Sequence, residues 1–317
     1  MIARILKNQI LRNVSIHTHR SATMKSKSKK ENMLGVKKMK QKMRSTWMMA
    51  LLAMILLVGA GCGQQASEPK NTESAPAEEV TLKVASLIPP MTDILDVVKP
   101  LLKEDGINLE VVVLSDNVQP NTALANNEVD ANFFQHVPFM EQYNEANGSD
   151  LVAVKPIYHA LFGAYSKKYK SIDELPEGAV IAIPNDSTNV GRSLVMFEQN
   201  GMIKLREGAG YAATQADIVE NKKNYVFKEV DLLMLARSYD DVDAVAMYPA
   251  YASPLGLTPK KDAFITEKTD DRFAITLVAR GDNANSEPIQ KLAERMTGPE
   301  VAKYLEENFG EVSVPAF

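Results

Sequence analysis

One cysteine in 317 residues leaves no partner for an internal disulfide and no thiolate set for a zinc or iron–sulfur site. Histidine is nearly as scarce, with four in the chain and only His136 and His159 after residue 61. No second His, Cys or acidic cluster stands at metal-ligand spacing from either, so the sequence predicts no metal. The nucleophile elbow G-x-S-x-G, the phosphate loop G-x-x-x-x-G-K-[ST] and a post-strand G-x-G-x-x-G are all missing. Neither histidine sits in a pattern that supports a Ser/His/Asp triad. These gaps argue against an enzyme, and no catalytic residue or cofactor is expected.

Acidic residues are missing from the N-terminal stretch. Residues 1–61 carry 13 of the 36 Lys/Arg but only one of the 40 acids, Glu31. The remaining 256 residues therefore hold 23 basic and 39 acidic side chains, a formal charge of −16. A body of that sign repels phosphate backbones, which excludes nucleic acid as a partner. The only tryptophan, Trp47, also lies in the leader.

The leader has a basic run from Lys37 to Arg44, then an uncharged apolar run from Trp47 to Gly61. That order and length fit a secretory signal peptide. The run falls short of the roughly 20 apolar residues of a stable membrane span. Gly59-Ala60-Gly61 precede Cys62 directly, as small residues do at a lipobox, although Gly59 stands where the box usually has Leu. Cleavage there and diacylglycerol transfer to Cys62 would give the two acyl chains that stable anchoring needs. Residues 1–38 are long and polar for the basic part of a signal peptide, and a start at or near Met39 would account for them. Residues 1–61 are thus predicted to be leader and lipoprotein signal peptide. Residues 62–79, rich in Pro, Ser, Ala and Glu, are predicted to be a disordered tether. The mature protein would sit on the extracytoplasmic face of the cell membrane.

From Val80 onward, strand and helix patterns alternate. Val80–Ala85 alternates with period two, Asp93–Leu102 places Ile94, Leu95, Val98, Leu101 and Leu102 on one helical face, and Leu109–Leu114 reads as a buried strand. Helix near 121–127, strand at 130–134, helix at 136–147 and extended chain over 151–165 follow. A second series opens with the strand at 179–184 and a helix from about Thr188 to Gly201. Helices near 214–220 and 231–238, strands at 225–230, 242–247 and 273–279, and two C-terminal helices complete it. Strands alternating with helices imply α/β layers with mainly parallel sheets, and two series imply two lobes. The expected division is 80–163 plus 264–317 for one lobe and 164–263 for the other. Ligands of such sheets bind beyond the carboxyl ends of strands, between lobes.

Two of those strand-end loops carry recognisable chemistry. In Asn185–Ser193, Asp186, Ser187 or Thr188 can cap the following helix, whose free N–H groups suit a carboxylate. Arg192, one turn in, could fork onto a carboxylate; an ordinary capped helix with a surface arginine is an equal reading. In Asp130–Phe139, one of Phe133 and Phe134 belongs to a core, and His136 is either a helix-start residue or a ligand contact.

Val118–Ala125 (VQPNTALA), Asp130–His136 (DANFFQH), Tyr165–Ser171 (YSKKYKS), Ala182–Arg192 (AIPNDSTNVGR) and the ending Val314–Phe317 (VPAF) together resemble the NlpA family. These are the methionine-binding lipoproteins of bacterial ABC importers, and the likeness runs from about Val80 to Phe317. It implies a type II periplasmic-binding-protein fold closing on an amino acid, methionine or a related one, and delivering it to an ABC permease and its ATPase. It also implies that Arg192 grips the ligand carboxylate with Asn189 beside it. Phe133, Phe134 and His136 would form the side-chain pocket, and Tyr165 would lie near hinge or cleft. Aromatic walls suit a polarizable thioether. Two positions depart from the family pattern. Tyr248, in Met247–Ala252 (MYPAYA), stands where the family usually has an Asn that holds the α-amino end, and Met91 stands where it has a His. Another amino acid, a short peptide, or a non-transport surface lipoprotein acting as adhesin or scaffold are the alternatives these departures keep open.

Overall fold

A computed structural model describes Val80–Phe317. The leader, Cys62 and the tether lie outside the described residues. The described strands form two larger sheets and a two-stranded ribbon.

The first sheet has the order β13-β4-β12-β3-β1-β2: β1 is Val80–Ser86, β2 Ile107–Val113, β3 Ala131–Gln135, β4 Leu151–Ala160, β12 Ile275–Arg280 and β13 Ser313–Pro315. The second has the order β11-β5-β10-β6-β9: β5 is Gly163–Tyr165, β6 Val180–Pro184, β9 Val226–Val230, β10 Ala244–Met247 and β11 Ala263–Thr266. The expected parallel pairing holds in one half of each sheet, between β1 and its neighbours β2 and β3 and between β6 and its neighbours β9 and β10. The other half is antiparallel. Chain direction explains the mixture. The chain leaves the first sheet at β4, crosses through Leu161-Phe162 into β5, and returns from β11 through 267–274 into β12. Strands next to such crossings meet their neighbours head to tail. The crossings touch each other, with Glu267 N–H donating to Phe162 C=O at 3.0 Å.

The helices follow their apolar spacing. Helix α1 (Met91–Glu104) buries Met91, Ile94, Leu95, Val98 and Leu102, one face of a 3.6-residue repeat. Helix α2 is Gln119–Ala125 and α3 is Val137–Asn147, ended by Gly148 in the left-handed conformation. Helix α4 (Ser187–Gln199) is buried almost throughout, because it lies under the second sheet. The short helices α5 (Leu235–Ser238), α6 (Pro249–Ala252) and α7 (Pro259–Asp262) belong to the same lobe; α8 (Glu287–Met296) and α9 (Pro299–Phe309) return to the first.

Two local expectations fail for tertiary reasons. The apolar run around Leu109–Leu114 is not a fully buried strand: β2 pairs only with β1 at the sheet edge, and Val113 is exposed. The predicted helix at 214–220 is a single 3₁₀ turn, Gln215–Asp217, followed by a strand, β8 (Ile218–Glu220), that pairs with β7 (Lys204–Leu205). Asp217 accepts from the Thr214 backbone N–H at 2.9 Å, while its carbonyl is taken by Arg206 N–H at 2.7 Å, so the ribbon competes successfully with the helix. Among the described residues no helix is long and apolar enough to cross a membrane, and no group of three His, Cys, Asp or Glu could hold a metal ion.

Candidate ligand-binding site

Between the lobes lies a cavity of about 530 Å³. Leu87, Ile88, Met91, Phe134, Phe139, Tyr158 and Ile275 wall it from the first lobe; Leu232, Leu233, Tyr248 and Tyr251 wall it from the second. Among the described residues no Asp, Glu, Lys or Arg lines it. Gln135, His136, Asn189 and Tyr248 make a polar end, and Ser115, Asn117, Ser253 and Ser313 are further polar residues of the lining.

Each of those groups is placed by a local rule. His136 follows β3 and caps α3: the Phe139 N–H donates to its Nδ1 at 3.2 Å. Nδ1 therefore carries no proton, and the Nε2–H faces Asn189 Oδ1 at 3.3 Å, across the lobes. Burial lowers the His136 pKa to about 3, aided by the Arg192 charge and opposed by the bond to Asn189. The imidazole is neutral. Gln135 is held by a buried amide cluster, accepting from Asn121 Nδ2 at 2.8 Å and donating to Asn132 Oδ1 at 2.9 Å.

Asn189 stands in the first turn of α4. Asp186 caps that helix, as one of the three expected candidates, and accepts from the Asn189 N–H at 3.0 Å and from its Nδ2 at 2.9 Å. The helix start thus already holds a carboxylate, its own. Asn189 Oδ1 accepts from the Tyr248 hydroxyl at 2.9 Å as well as from His136.

Arg192 is 1% exposed and does not line the cavity, so it is not the surface arginine that the sequence allowed as an equal reading. Its Nε donates to Glu267 Oε2 at 2.6 Å and its Nη2 to Glu267 Oε1, a forked ion pair. Its Nη1 donates to the Tyr248 hydroxyl. The rings of Phe162, Tyr248 and Phe273 lie 4.9, 4.8 and 4.5 Å from its Cζ. Burial opposes the charge, but Tyr248 and Glu267 more than restore it, so the Arg192 pKa is raised.

Two further expectations shift. Phe133 is fully buried behind the cavity wall, its ring edge-on to Tyr158 at 6.1 Å, because successive strand residues face opposite sides. Tyr165 lies in β5, three residues past Phe162 and so beside the interlobe crossing, but in the second lobe's core and off the cavity lining, with its hydroxyl buried and unpartnered. Phe134, His136, Asn189 and Tyr248 do meet at the cavity. Sequence reasoning missed Glu267, Phe162 and Phe273. All three lie in the interlobe crossings: Phe162 and Phe273 were read only as parts of extended segments, and no pattern marks Glu267 as buried.

A family model described as NlpA lipoprotein matches residues 82–317. The chain belongs to the NlpA lipoprotein family. This NlpA-family chain is 37% identical over 245 residues to the D-methionine-binding lipoprotein MetQ of Salmonella typhimurium, covering 76% of itself and 87% of that relative. It is also 37% identical over 270 residues to Lipoprotein 28 of Escherichia coli K12, covering 84% and 95%. Among solved structures, a nutrient-binding protein from Burkholderia cenocepacia bound to methionine superposes with a TM-score of 0.72 at 35% identity, over 74% of this chain and 100% of that one. A YaeC-family lipoprotein from Enterococcus faecalis is 44% identical with a TM-score of 0.68, over 75% and 99%. The NlpA-family chain therefore has their two-lobed periplasmic-binding fold.

Proposed function

We propose that this protein is the lipid-anchored, extracytoplasmic solute receptor of an ABC importer, and that its interlobe cavity takes methionine or a closely related amino acid. It performs no chemistry; it binds, closes and delivers its cargo to a permease driven by an ATPase. The observation that carries this reading is the apolar interlobe cavity with one polar end, in a chain whose relatives include binding proteins named for methionine. A thioether side chain fits among Met91, Phe134, Phe139 and Tyr158, where sulfur–aromatic contacts are favourable. Arg192 is the cation that bears on the polar end, through His136 and Tyr248, so the α-carboxylate is assigned to it, reached past Tyr248. The basic and apolar leader running into Cys62 supports the anchor.

Thermal unfolding tests the reading, with the protein first denatured and refolded to strip any carried amino acid. Methionine at 100 times its dissociation constant stabilises by about 2.7 kcal/mol, a rise of roughly 5–10 °C for a chain of this size. A shift with another amino acid alone would reassign the cargo. No shift with any amino acid or short peptide would favour a non-transport surface lipoprotein.

A further inference from the structure

We propose that the Tyr248 hydroxyl is a built-in stand-in for the head of an α-amino acid, and that its exchange for the ligand makes Tyr248 the residue that sets head-group selectivity. This rests on the receptor reading above.

The geometry of Arg192 carries the argument. One edge of its fork, Nε and Nη2, is closed by both oxygens of Glu267. The rings of Phe162, Phe273 and Tyr248 crowd it, 4.9, 4.5 and 4.8 Å from Cζ. Only the Nη1 side remains, and there the Tyr248 hydroxyl accepts its hydrogen bond. Tyr248 lines the cavity and Arg192 does not, so a molecule entering from the cavity meets the phenol before the guanidinium.

The same hydroxyl donates to Asn189 Oδ1 at 2.9 Å. It therefore does two jobs at one point: it accepts from a cation and donates to an amide oxygen. An α-amino acid offers the same pair of functions on one carbon, a carboxylate that accepts from Arg192 Nη1 and an ammonium that donates to Asn189 Oδ1. A ligand with both groups takes over the two partners that the phenol gives up, Arg192 Nη1 and Asn189 Oδ1. A ligand lacking either leaves one unpaired, which costs more than the bond gained. Charge agrees. Arg192 and Glu267 sum to zero and stand behind the wall, the Asp186 carboxylate is bound to the Asn189 amide, His136 is neutral, and among the described residues no formal charge lines the cavity itself. A zwitterion keeps that sum, whereas an anion or a cation would bring an uncompensated charge into an apolar space.

Removing the hydroxyl should therefore help the ligand. In Tyr248→Phe the free protein loses the stand-in, and methionine no longer competes with it. The experiment compares wild type and Y248F by titration calorimetry with methionine, with methioninol, which lacks the carboxylate, and with 4-(methylthio)butanoate, which lacks the amine. The expected result is methionine binding at least tenfold tighter to Y248F, with each single-group analogue changing less than threefold. Equal or weaker methionine binding by folded Y248F overturns the proposal while leaving the receptor reading intact. If neither protein binds methionine or any other amino acid, the receptor reading fails and the proposal falls with it. Should Y248F not fold, wild-type protein with ring-labelled tyrosine decides the matter. Methionine must shift the Tyr248 resonance as its hydroxyl leaves Arg192, and 4-(methylthio)butanoate must not; a resonance unmoved by saturating methionine overturns the exchange.

Discussion

His136 shows how one residue fixes the electrical character of the site. It faces Asn189, the Arg192 charge and the rings of Phe139 and Phe273, and burial holds its pKa at about 3 rather than 6.5. The unfolded chain then binds more protons than the folded one between those values, so stability rises with pH across the interval. The contribution is complete above about pH 6.5 and is lost as pH falls toward 3, at about 1.4 kcal/mol per pKa unit. We expect the unfolding midpoint in urea to drop between pH 6.5 and 4, and His136→Gln to flatten that part of the profile. An unchanged profile in the variant would place the acid sensitivity elsewhere. Phe134, His136, Asn189 and Tyr248 meet at the cavity; strand ends and helix starts marked the loops that hold them, whereas Asn189 and Tyr248 were singled out only by the family resemblance. Glu267 was marked by neither. It lies 75 residues from Arg192, and nothing local distinguishes it from a surface acid.

At the scale of an element, α4 is the part on which the site depends. It carries Asn189 and Arg192, and it approaches the 3₁₀ turn at Gly210–Ala212 through Gly191. A Cβ at Gly191 would stand 2.0 Å from the Tyr211 carbonyl oxygen. Backbone cannot rotate away as a side chain would, so either the turn or the helix must move. Tyr211 in turn packs on Phe273, one of the rings around Arg192. We expect Gly191→Ala to cost about 2–3 kcal/mol in chemical unfolding, as overpacking does, and to weaken ligand binding as well. Full stability in G191A would mean that the turn is displaced at no cost. The helix itself was predicted from its candidate caps and the Asn200-Gly201 stop; the close approach was not, since it joins residues that only the fold brings together.

For the whole molecule, two crossings connect two lobes, and polar contacts bridge the cleft besides. His136 reaches Asn189, and Gln142 Nε2 donates to Ser187 Oγ at 2.8 Å. Between them lies a cavity with apolar walls. Covering that surface should give ligand binding a negative heat-capacity change, which is the dependable mark of apolar burial. Calorimetry at several temperatures checks this: a binding enthalpy that does not become more favourable on warming would mean that the walls stay wetted in the complex. The division into strand-and-helix series was readable from periodicity, whereas the mixed direction of the sheets was not, because it follows from where the chain crosses between them.

By itself the sequence determined what depends on neighbours along the chain. Apolar spacing placed α1; Asp186, one of three candidate caps, and His136 announced helix starts; the shared segments identified the family. These features come from hydrogen bonds and burial within one or two turns of backbone. Tertiary structure alone decided which groups face the cavity and which stand behind it. It set Phe134 forward and Phe133 back, put β2 at an edge, and enclosed Arg192 between Glu267, Tyr248 and the two crossing phenylalanines. A buried charge must be matched by partners wherever the fold supplies them, and sequence distance says nothing about which ones those will be.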